Sequence, residues 1–414
     1  MVACLDMTTP IKLLSEPQRV YLDHNATTPL AHGIVDAMPQ WLEKWGNPSS
    51  IHWSGREPKA LLRNSRQAVA QFVGANSLEI VFTSGGSEAN NMALKGVFFP
   101  ILQKMLSGET PPRRELVISA VEHPSIVKAA ESLQEWGIVV HRVPVSRNGE
   151  LDFEFLTSVV NEKTALVSVM YANNETGHCF PIAKISKLVR EQAGALFHCD
   201  GVQALGKAAV DVKRWGVDMA SFSGHKFYAL KGCGFLYIRK GLNLPSLIHG
   251  GGQERRRRAG TENTVAIASL GYVVEHWGSH VSSQRERLAA LRDQMEDSIL
   301  ESISDVTVAG REGKRMGNTS SLMIAGVDGE SLLMNLDILG FSVSTGAACS
   351  SGNPEPSPVL LAMGLSRDEA QSSLRLSLGW GTTEGEIKRF VEALVSVVER
   401  LRSFVGGTEE SSNG

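Results

Sequence analysis

The chain has 414 residues, of which 42% are hydrophobic, so it can bury a large core and form two or three domains. Its 41 basic and 44 acidic residues nearly balance, and the net charge of -3 gives no general attraction to nucleic acid or to an anionic membrane surface. The sequence contains no apolar stretch long enough to span a bilayer and no secretory signal pattern at its start.

The five cysteines form no CxxC pair and no regular disulfide framework. This pattern is typical of a reducing compartment. Together with the nearly balanced charge and the lack of a membrane-spanning stretch, it predicts a cytoplasmic protein that binds neither nucleic acid nor membrane. Cys4, Cys179, Cys199 and Cys233 are expected to be small buried hydrophobes. Cys349 instead lies among Ser, Gly and Pro residues, which predicts an exposed loop with an accessible, nucleophilic thiol.

Short apolar runs alternate with helical patterns between residues 79 and 239. The predicted strands cover residues 80–83, 116–119, 138–140, 166–170, 195–197 and 235–238, and a predicted helix covers 182–192. This rhythm predicts an α/β domain with a mostly parallel sheet. Ligands of such sheets bind at the carboxyl ends of the strands, so the residues that follow the strands are the candidates for a site.

The chain changes character after residue 264. A long charged helix pattern covers 282–303, a few strands follow, and an amphipathic helix pattern covers 384–405. We therefore predict a large α/β domain at 31–263 and a smaller α+β domain made of 1–30 and 264–405. The polar segment 406–414 is predicted to be a disordered tail.

A glycine-rich loop follows the first of these strands. Gly86 and Ser87 enter a predicted helix there, where backbone N–H groups and the helix dipole favour an anion such as a phosphate. An ordinary turn capped by Ser87 is the simpler alternative.

Polar side chains also follow the later strands. Asp200 ends one of them, His123 follows another, and Asn174 follows a third. A carboxylate at a strand end is costly to bury without a positive partner, although capping of the next turn would also explain Asp200. The His123 imidazole could stack on an aromatic cofactor and move protons.

Lys226 closes the run Ser223-Gly224-His225-Lys226. An amine in this position could form a Schiff base with an aldehyde cofactor, while Asp200 could keep a pyridine nitrogen protonated. Ser223 and His225 could both donate to a phosphate. The pattern therefore indicates a pyridoxal-phosphate site, with a structural role for His225 as the alternative.

Two other readings of these motifs are less favoured. The SxxK pattern of serine acyl-transfer enzymes is present at 223–226, but its companion motifs are absent. The adjacent pairs His178–Cys179 and His198–Cys199 could supply only one ligand each, because neighbouring strand residues point to opposite faces. No metal site is therefore predicted.

Ordered motifs from Val20 to Leu401 resemble the cysteine desulfurases of the NifS/IscS type. This group belongs to the class V aminotransferases within the fold-type I pyridoxal-phosphate enzymes. The matching segments are YLDHNATTP at 21–29, GNPSS at 46–50, TSGGSE at 83–88, NNETG at 173–177, SGHK at 223–226, RAGTEN at 258–263 and SSLRLS at 372–377. The resemblance implies a large domain with a mostly parallel, seven-stranded type of sheet and a smaller α+β C-terminal domain.

The resemblance also implies a role for each matching residue. Lys226 would bind pyridoxal 5'-phosphate covalently, Asp200 would pair with its pyridine nitrogen, Gln203 would bond its phenolic oxygen, and His123 would stack on the ring. The phosphate would be held by Gly86, Ser87, Ser223 and His225, and by Thr261 from the other subunit of a homodimer. Asn174 and Arg375 would bind the substrate carboxylate, and Asn174 would also lie near the cofactor. Cys349 would accept the sulfur.

The implied reaction removes sulfur from L-cysteine and leaves L-alanine and a persulfide on Cys349. A protein sulfur acceptor, either a scaffold or a carrier, would then take the sulfur for iron–sulfur cluster assembly or another use. Three alternatives stay open: a selenocysteine lyase, another class V aminotransferase-type enzyme, and a sulfur-relay or scaffold protein with a degenerate site. The four arginines at 255–258 would belong to a loop that faces the other subunit, or to a solvated basic turn.

Overall fold

The computed structural model describes residues 19–346 and 355–410, with the side chains of the second range described to residue 404. The described ranges contain twelve strands: β1 (Val20–Tyr21), β2 (Ile80–Thr83), β3 (Glu115–Ser119), β4 (Val139–Val143), β5 (Thr164–Ser168), β6 (Leu196–Asp200), β7 (Met219–Ser223), β8 (Gly234–Ile238), β9 (Val306–Val308), β10 (Thr319–Ile324), β11 (Phe341–Ser342) and β12 (Ser373–Ser377).

The same ranges contain fourteen α-helices: α1 (Ile34–Leu42), α2 (Trp53–Phe72), α3 (Gly86–Leu106), α4 (Pro124–Gln134), α5 (Phe153–Val159), α6 (Ile182–Gln192), α7 (Val212–Trp215), α8 (Gln253–Arg256), α9 (Thr264–Trp277), α10 (Val281–Ser302), α11 (Gly329–Ile338), α12 (Pro358–Ala362), α13 (Arg367–Gln371) and α14 (Glu384–Glu410). None of the helices in this described part is long and apolar enough to cross a bilayer.

A seven-stranded sheet with the order β2-β8-β7-β6-β5-β3-β4 forms the centre of the molecule. Only β8 runs antiparallel to its neighbours β2 and β7. Both faces of the sheet are covered, because side chains alternate along each strand: Ile80 and Phe82 pack into one core cluster and Val81 into another. The predicted α/β class with a mostly parallel sheet is confirmed.

A second, antiparallel sheet with the order β12-β10-β9 lies in the C-terminal half. Its core includes apolar side chains of α10, α11 and α14, among them Met295, Leu332 and Phe390. Near the other end of the chain, β1 pairs in parallel with β11, with Val20 opposite Phe341. The N-terminal strand is thereby joined to the C-terminal half.

The division into domains at 31, 264 and 406 stays a prediction. Helix α14 ends at Glu410, so it overlaps the first residues of the predicted tail, and 411–414 lie outside the described residues.

The elements follow the sequence patterns closely in places. Strand β2 and helix α6 have the predicted bounds, and the other predicted strands lie within a few residues of those expected. Strand β7 was missed, because Met219–Ser223 contains no β-branched residue and carries two serines, which weakens the strand pattern. It is nevertheless fully buried between β6 and β8, so its neighbours decide its conformation.

Candidate active site

A cavity of about 390 Å³ opens where the carboxyl ends of the parallel strands meet the amino end of α3. Its lining includes ten residues singled out from the sequence: Gly86, Ser87, His123, Asn174, Asp200, Gln203, Ser223, His225, Lys226 and Arg375. Thr261 is exposed and does not line this cavity. Cys349 lies outside the described residues.

Helix α3 supplies one end of the cavity. Its N-cap is Gly85, which gives no side-chain cap, so the alternative that Ser87 caps the helix is wrong. A Cβ atom on Gly86 would lie 2.7 Å from Val202 Cγ2 and 3.6 Å from Ser223 Cβ, so only glycine leaves this space open. The uncapped N–H groups of a long helix beside Ser223 form a cradle that suits a phosphate.

Asp200 is the last residue of β6 and is 5% exposed. Its Oδ1 accepts a hydrogen bond from the Val202 N–H at 3.0 Å, and its Oδ2 accepts one from Asn90 Nδ2 at 2.7 Å. The carboxylate therefore caps the next turn and also lines the cavity, so the two readings of Asp200 are compatible. Asn90 was not foreseen from the sequence.

Lys226 lies in the turn that follows β7. Its Nζ donates to the carbonyl oxygens of Asn25 at 2.5 Å and Ala26 at 2.6 Å. Burial, followed by the positive charge of Arg375, lowers the pKa of Lys226 to about 8, while Asp23 and Asp200 oppose this change. At pH 7 about a tenth of the amine is therefore neutral and nucleophilic, far more than for an ordinary lysine.

A second lysine beside the cavity was missed in the sequence. Lys207 Nζ donates to Asn25 Oδ1 and to Gln203 Oε1, both at 2.8 Å. Burial and the nearby Lys226 hold the pKa of Lys207 well below its ordinary value. Its position four residues after Gln203 was the available signal, because that spacing places two side chains together on a helical turn. By engaging Oε1, Lys207 leaves the Gln203 amide nitrogen to donate, which it does to the Asn25 carbonyl at 3.1 Å.

Two histidines line the cavity in different ways. His123 is the N-cap of α4, and its exposed ring accepts a hydrogen bond at Nδ1 from the Ser125 N–H at 3.1 Å. Burial by the surrounding protein atoms lowers the pKa of His123. The Asp200 carboxylate opposes this change, and the positive charge of Lys226 adds to it. His225 contacts Thr27 Oγ1 through Nδ1 at 3.1 Å, and burial followed by Lys226 lowers its pKa to about 4.

Arg375 is the central residue of β12, and its side chain lines the cavity. Its Nη2 donates to Asp23 Oδ1 at 2.7 Å, and its Nη1 lies 3.4 Å from the Asn174 carbonyl oxygen. Its Nε is buried without a hydrogen-bond partner. Arg375 lines the cavity, and a forked guanidinium there suits an incoming carboxylate.

The three cysteines in the described part of the chain are buried. Burial raises the pKa of Cys179 and of Cys233 to about 12 and raises that of Cys199 well above its ordinary value. They are therefore inert thiols, as expected.

The adjacent His-Cys pairs have structural surroundings. Buried His198 bridges two strands, contacting Ser168 Oγ at 2.8 Å and Ser221 Oγ at 2.9 Å. Across residues 19–346 and 355–410, no group of His, Cys, Asp and Glu side chains could hold a metal ion.

The arginine run is tied to the large sheet. Arg258 pairs with Glu88 at 2.8 Å, and Arg255 donates to the Ile80 carbonyl at 2.5 Å. Glu254, Arg255 and Arg256 all have positive φ, a costly backbone conformation for residues other than glycine. Arg255 and Arg256 are nevertheless exposed, so a solvated basic turn stays an alternative for part of this run.

The family model for aminotransferase class-V matches residues 20–390. The chain belongs to this family, which confirms the resemblance predicted from its motifs. The cysteine desulfurase IscS of Dictyoglomus turgidum is 42% identical over 387 residues, which cover 93% of this chain and 96% of that protein. The cysteine desulfurase NifS of Azotobacter vinelandii is 40% identical over 386 residues, which cover 93% of this chain and 94% of that protein.

Solved structures agree with this assignment. A NifS-like protein superposes with a TM-score of 0.85 at 33% identity, covering 92% of this chain and 99% of its own. SspA in complex with cysteine superposes with a TM-score of 0.75 at 31% identity, covering 86% of this chain and 98% of its own.

Class V aminotransferases are pyridoxal-phosphate enzymes, so the predicted cofactor is confirmed at the level of the family. The cavity residues of this chain fit that cofactor. Gly86 leaves room for a phosphate at the start of α3, and Lys226 brings an amine of lowered pKa into the same cavity.

Proposed function

We propose that this chain is a pyridoxal-phosphate-dependent cysteine desulfurase. It converts L-cysteine to L-alanine and carries the sulfur as a persulfide on Cys349. The observation that carries the proposal is the meeting of Lys226, Asp200, His123 and Arg375 around one cavity. A nucleophilic amine, a carboxylate, an imidazole and a carboxylate-binding guanidinium are the groups that this reaction requires. The names of the relatives and the cysteine-bound neighbour support the same substrate.

The cofactor is held by residues from several strands. The N–H groups at Gly86 and Ser87, with Ser223 and His225, would bind its phosphate, and Thr261 of a second subunit would add a further donor. Asp200 would pair with the ring nitrogen, Gln203 would donate to the phenolic oxygen, and His123 would cover the ring. Lys226 would provide the amine for its covalent attachment.

The bound cofactor supplies an aldehyde carbon that reacts with amines and a ring that accepts the electron pair left at the substrate Cα. Lys226 then removes the Cα proton, for which its amine must be neutral. The lowered pKa of Lys226 keeps that base available near neutral pH.

Arg375 and Asn174 orient the substrate by binding its carboxylate. The Asp23 ion pair holds the guanidinium in place at the cavity. Binding of the carboxylate in this way fixes which bond of the substrate Cα lies in position to react.

Cys349 takes the sulfur as a thiolate. Its Sγ attacks the substrate sulfur and forms an S–S bond, while the substrate Cβ–S bond breaks and its electron pair stays with Cβ. Protonation of Cβ then gives alanine, so no external oxidant or reductant is needed. The described cysteines are buried thiols of raised pKa, which supports Cys349 in this role.

The working unit of this enzyme is a homodimer. Apolar side chains are exposed near the start of the chain, with Trp45 76%, Ile51 94% and Trp53 74% exposed. Such a patch is typical of a protein interface. Thr261 is exposed and does not line its own chain's cavity, as expected of a residue that serves a second subunit. Light scattering measures the mass of Ile51→Glu in solution. We expect this variant to be a monomer that binds the cofactor more weakly, and a mass unchanged from wild type would contradict the homodimer.

The persulfide is passed to a protein acceptor in the cytoplasm, either a scaffold or a carrier, for iron–sulfur cluster assembly or another use. Buried, unpaired cysteines support a reducing compartment. The protein loaded with a labelled persulfide is used as bait to capture its partners. Transfer of the labelled sulfur to one of the captured proteins identifies the acceptor.

The decisive variant is Cys349→Ser, with Cys4→Ser as the matched control. Cys349→Ser should lose persulfide formation and alanine release from L-cysteine while keeping its full complement of cofactor. Cys4→Ser should keep both activities. Unchanged alanine release by Cys349→Ser contradicts the proposal and favours a lyase reaction that does not need this thiol.

A further inference from the structure

A chain of hydrogen bonds runs beneath the cavity from Asp200 to His123. Asn90 Nδ2 donates to Asp200 Oδ2 at 2.7 Å and to Ser125 Oγ at 2.8 Å. Ser125 Oγ lies 2.8 Å from His123 Nδ1. Asn90 comes from the second turn of α3 and Ser125 from the first turn of α4, so the two helices meet at this bridge.

The direction of each hydrogen bond follows from the donors available. Asp200 presents only acceptors when ionised, so the Asn90 amide must turn its NH₂ group toward it. The same NH₂ uses its second hydrogen on Ser125 Oγ. Asn90 is 1% exposed, and its Oδ1 is buried without a hydrogen-bond partner. Leaving this acceptor unpaired costs free energy, and it is left so because the NH₂ group faces Asp200 and Ser125 instead.

The Ser125 hydroxyl accepts from Asn90, so its single hydrogen is free to go to His123 Nδ1. The Ser125 backbone N–H donates to the same nitrogen at 3.1 Å. Two donors thus face Nδ1, which leaves that nitrogen as an acceptor and places the hydrogen of the neutral imidazole on Nε2.

We propose that Asn90 and Ser125 are positioning residues that join the Asp200 carboxylate to the His123 imidazole and hold that ring as the tautomer protonated at Nε2. The bridge fixes the rotation of His123 and gives it a proton donor at Nε2 for the reaction in the cavity. It also links Asp200 at the end of β6 to His123 at the start of α4.

The charges around His123 are consistent with this role. Asp200 favours the charged imidazole, whereas Lys226 and the surrounding protein atoms disfavour it. Removing a donor from Nδ1 should ease its protonation, because the neutral ring loses a hydrogen bond. The inference deepens the proposed function, on which it rests for the reaction that His123 serves, but the tautomer can be measured without turnover.

The test is ¹⁵N NMR of histidine-labelled full-length protein, with cofactor and after its removal, with His123 assigned through His123→Gln. The wild type should show Nε2 protonated and Nδ1 unprotonated. In Ser125→Ala the midpoint of the His123 titration should rise by about 0.5 to 1 pH unit, the size of one lost hydrogen bond. Ser125→Thr keeps a hydroxyl and should restore the wild-type midpoint.

Asn90→Ala completes a double-mutant cycle. Its effect on the His123 titration should be smaller when Ser125 is already alanine, because the bridge is then broken. Ser125→Ala should also lower kcat for alanine release about three- to tenfold, with KM unchanged. Ser132→Ala serves as the control, since Ser132 lies on the same helix and bonds only the Ala129 carbonyl. It should leave the titration and the rate unchanged.

Three results would overturn the inference: a wild-type ring protonated at Nδ1, an unchanged titration in Ser125→Ala, or additive effects in the cycle. If Asn90→Ala does not fold, the comparison of Ser125→Ala with Ser125→Thr decides alone. A wild-type protein that has the expected tautomer but releases no alanine from cysteine would instead count against the proposed function.

Discussion

Arg375 and Asp23 form an ion pair at 2.7 Å that joins the middle of β12 to the segment following β1. The two side chains are 9% and 17% exposed, so the pair is shielded from water. Asp23 accepts at Nη2 alone, so the ion pair holds the guanidinium in place while Arg375 still lines the cavity. The pair explains how an arginine from one sheet serves a cavity at the edge of another.

Arg375→Lys should weaken substrate binding and leave the cofactor in place. Lysine keeps the charge but loses the forked donor geometry. We expect KM for L-cysteine to rise about ten- to a hundredfold, as for the loss of a charge-assisted hydrogen bond. Steady-state kinetics and cofactor content measure this. Arg400→Lys on α14 is the control, and an unchanged KM in Arg375→Lys would remove this residue from the substrate site.

The lowered pKa of Lys226 predicts how uptake of the cofactor depends on pH. Only the neutral amine attacks an aldehyde, and burial brings the pKa of Lys226 from 10.5 to about 8. The uptake rate of cofactor-free protein should therefore rise about tenfold per pH unit below pH 8 and level off above it. Visible absorbance follows the reaction. A rate that climbs steadily toward pH 10.5 would show an unperturbed lysine.

Peptide mapping after borohydride reduction identifies which amine reacted. Lys207 also has a lowered pKa, but its Nζ is held by Asn25 and Gln203. The cofactor should be attached to Lys226 in the wild type and should not move to Lys207 in Lys226→Ala.

Glu122 predicts a pH dependence of stability. Burial raises the pKa of Glu122 from 4.5 to about 8, so the folded chain holds this proton more tightly than the unfolded chain. The stability that the group contributes is complete below pH 4.5 and is lost as the pH rises toward 8. Gln at this position keeps the acceptor for Ser119 Oγ and the Met170 N–H but does not titrate.

The free energy of unfolding of Glu122→Gln relative to wild type should therefore increase between about pH 5 and pH 8, by up to a few kcal/mol. Urea denaturation at several pH values measures it, and exposed Glu131→Gln should show a flat difference over that range. A flat difference for Glu122→Gln would mean that the buried carboxyl is already ionised at pH 5.

The buried pair Arg66–Glu254 predicts a large local contribution to stability. Glu254 accepts from both terminal nitrogens of Arg66, at 2.8 and 2.5 Å, and from the Phe82 N–H at 3.0 Å. Glu254→Gln leaves a buried arginine without its counter-charge and should cost about 3–5 kcal/mol in urea denaturation. The exposed pair Lys128–Glu131 supplies the contrast: Lys128→Ala should cost less than about 1 kcal/mol. Equal losses at both sites would contradict the role assigned to burial.

The sequence predicts the sheet and the residues at its strand ends well, because both depend on local patterns. Asp200, His123 and Asn174 were expected to converge since each follows a strand, and all three line the cavity. Strand β7 and the antiparallel direction of β8 were not foreseen, because pairing between distant segments decides them.

Asn90 and Lys207 were missed for a related reason. Asn90 lies within α3 and bonds Asp200, 110 residues further along the chain, so no local pattern signals that contact. Lys207 bonds Asn25, 182 residues earlier, and the sequence offers only its spacing from Gln203 as a local signal.

The most direct test of the account is to locate the sulfur. Full-length protein loaded with cofactor is incubated with L-cysteine without reductant, then digested and mapped by mass spectrometry, with alanine measured in parallel. We predict one extra sulfur atom on Cys349 and one alanine released for each persulfide formed. Alanine release with no sulfur on Cys349, or with the sulfur on a buried cysteine such as Cys179, would contradict the account.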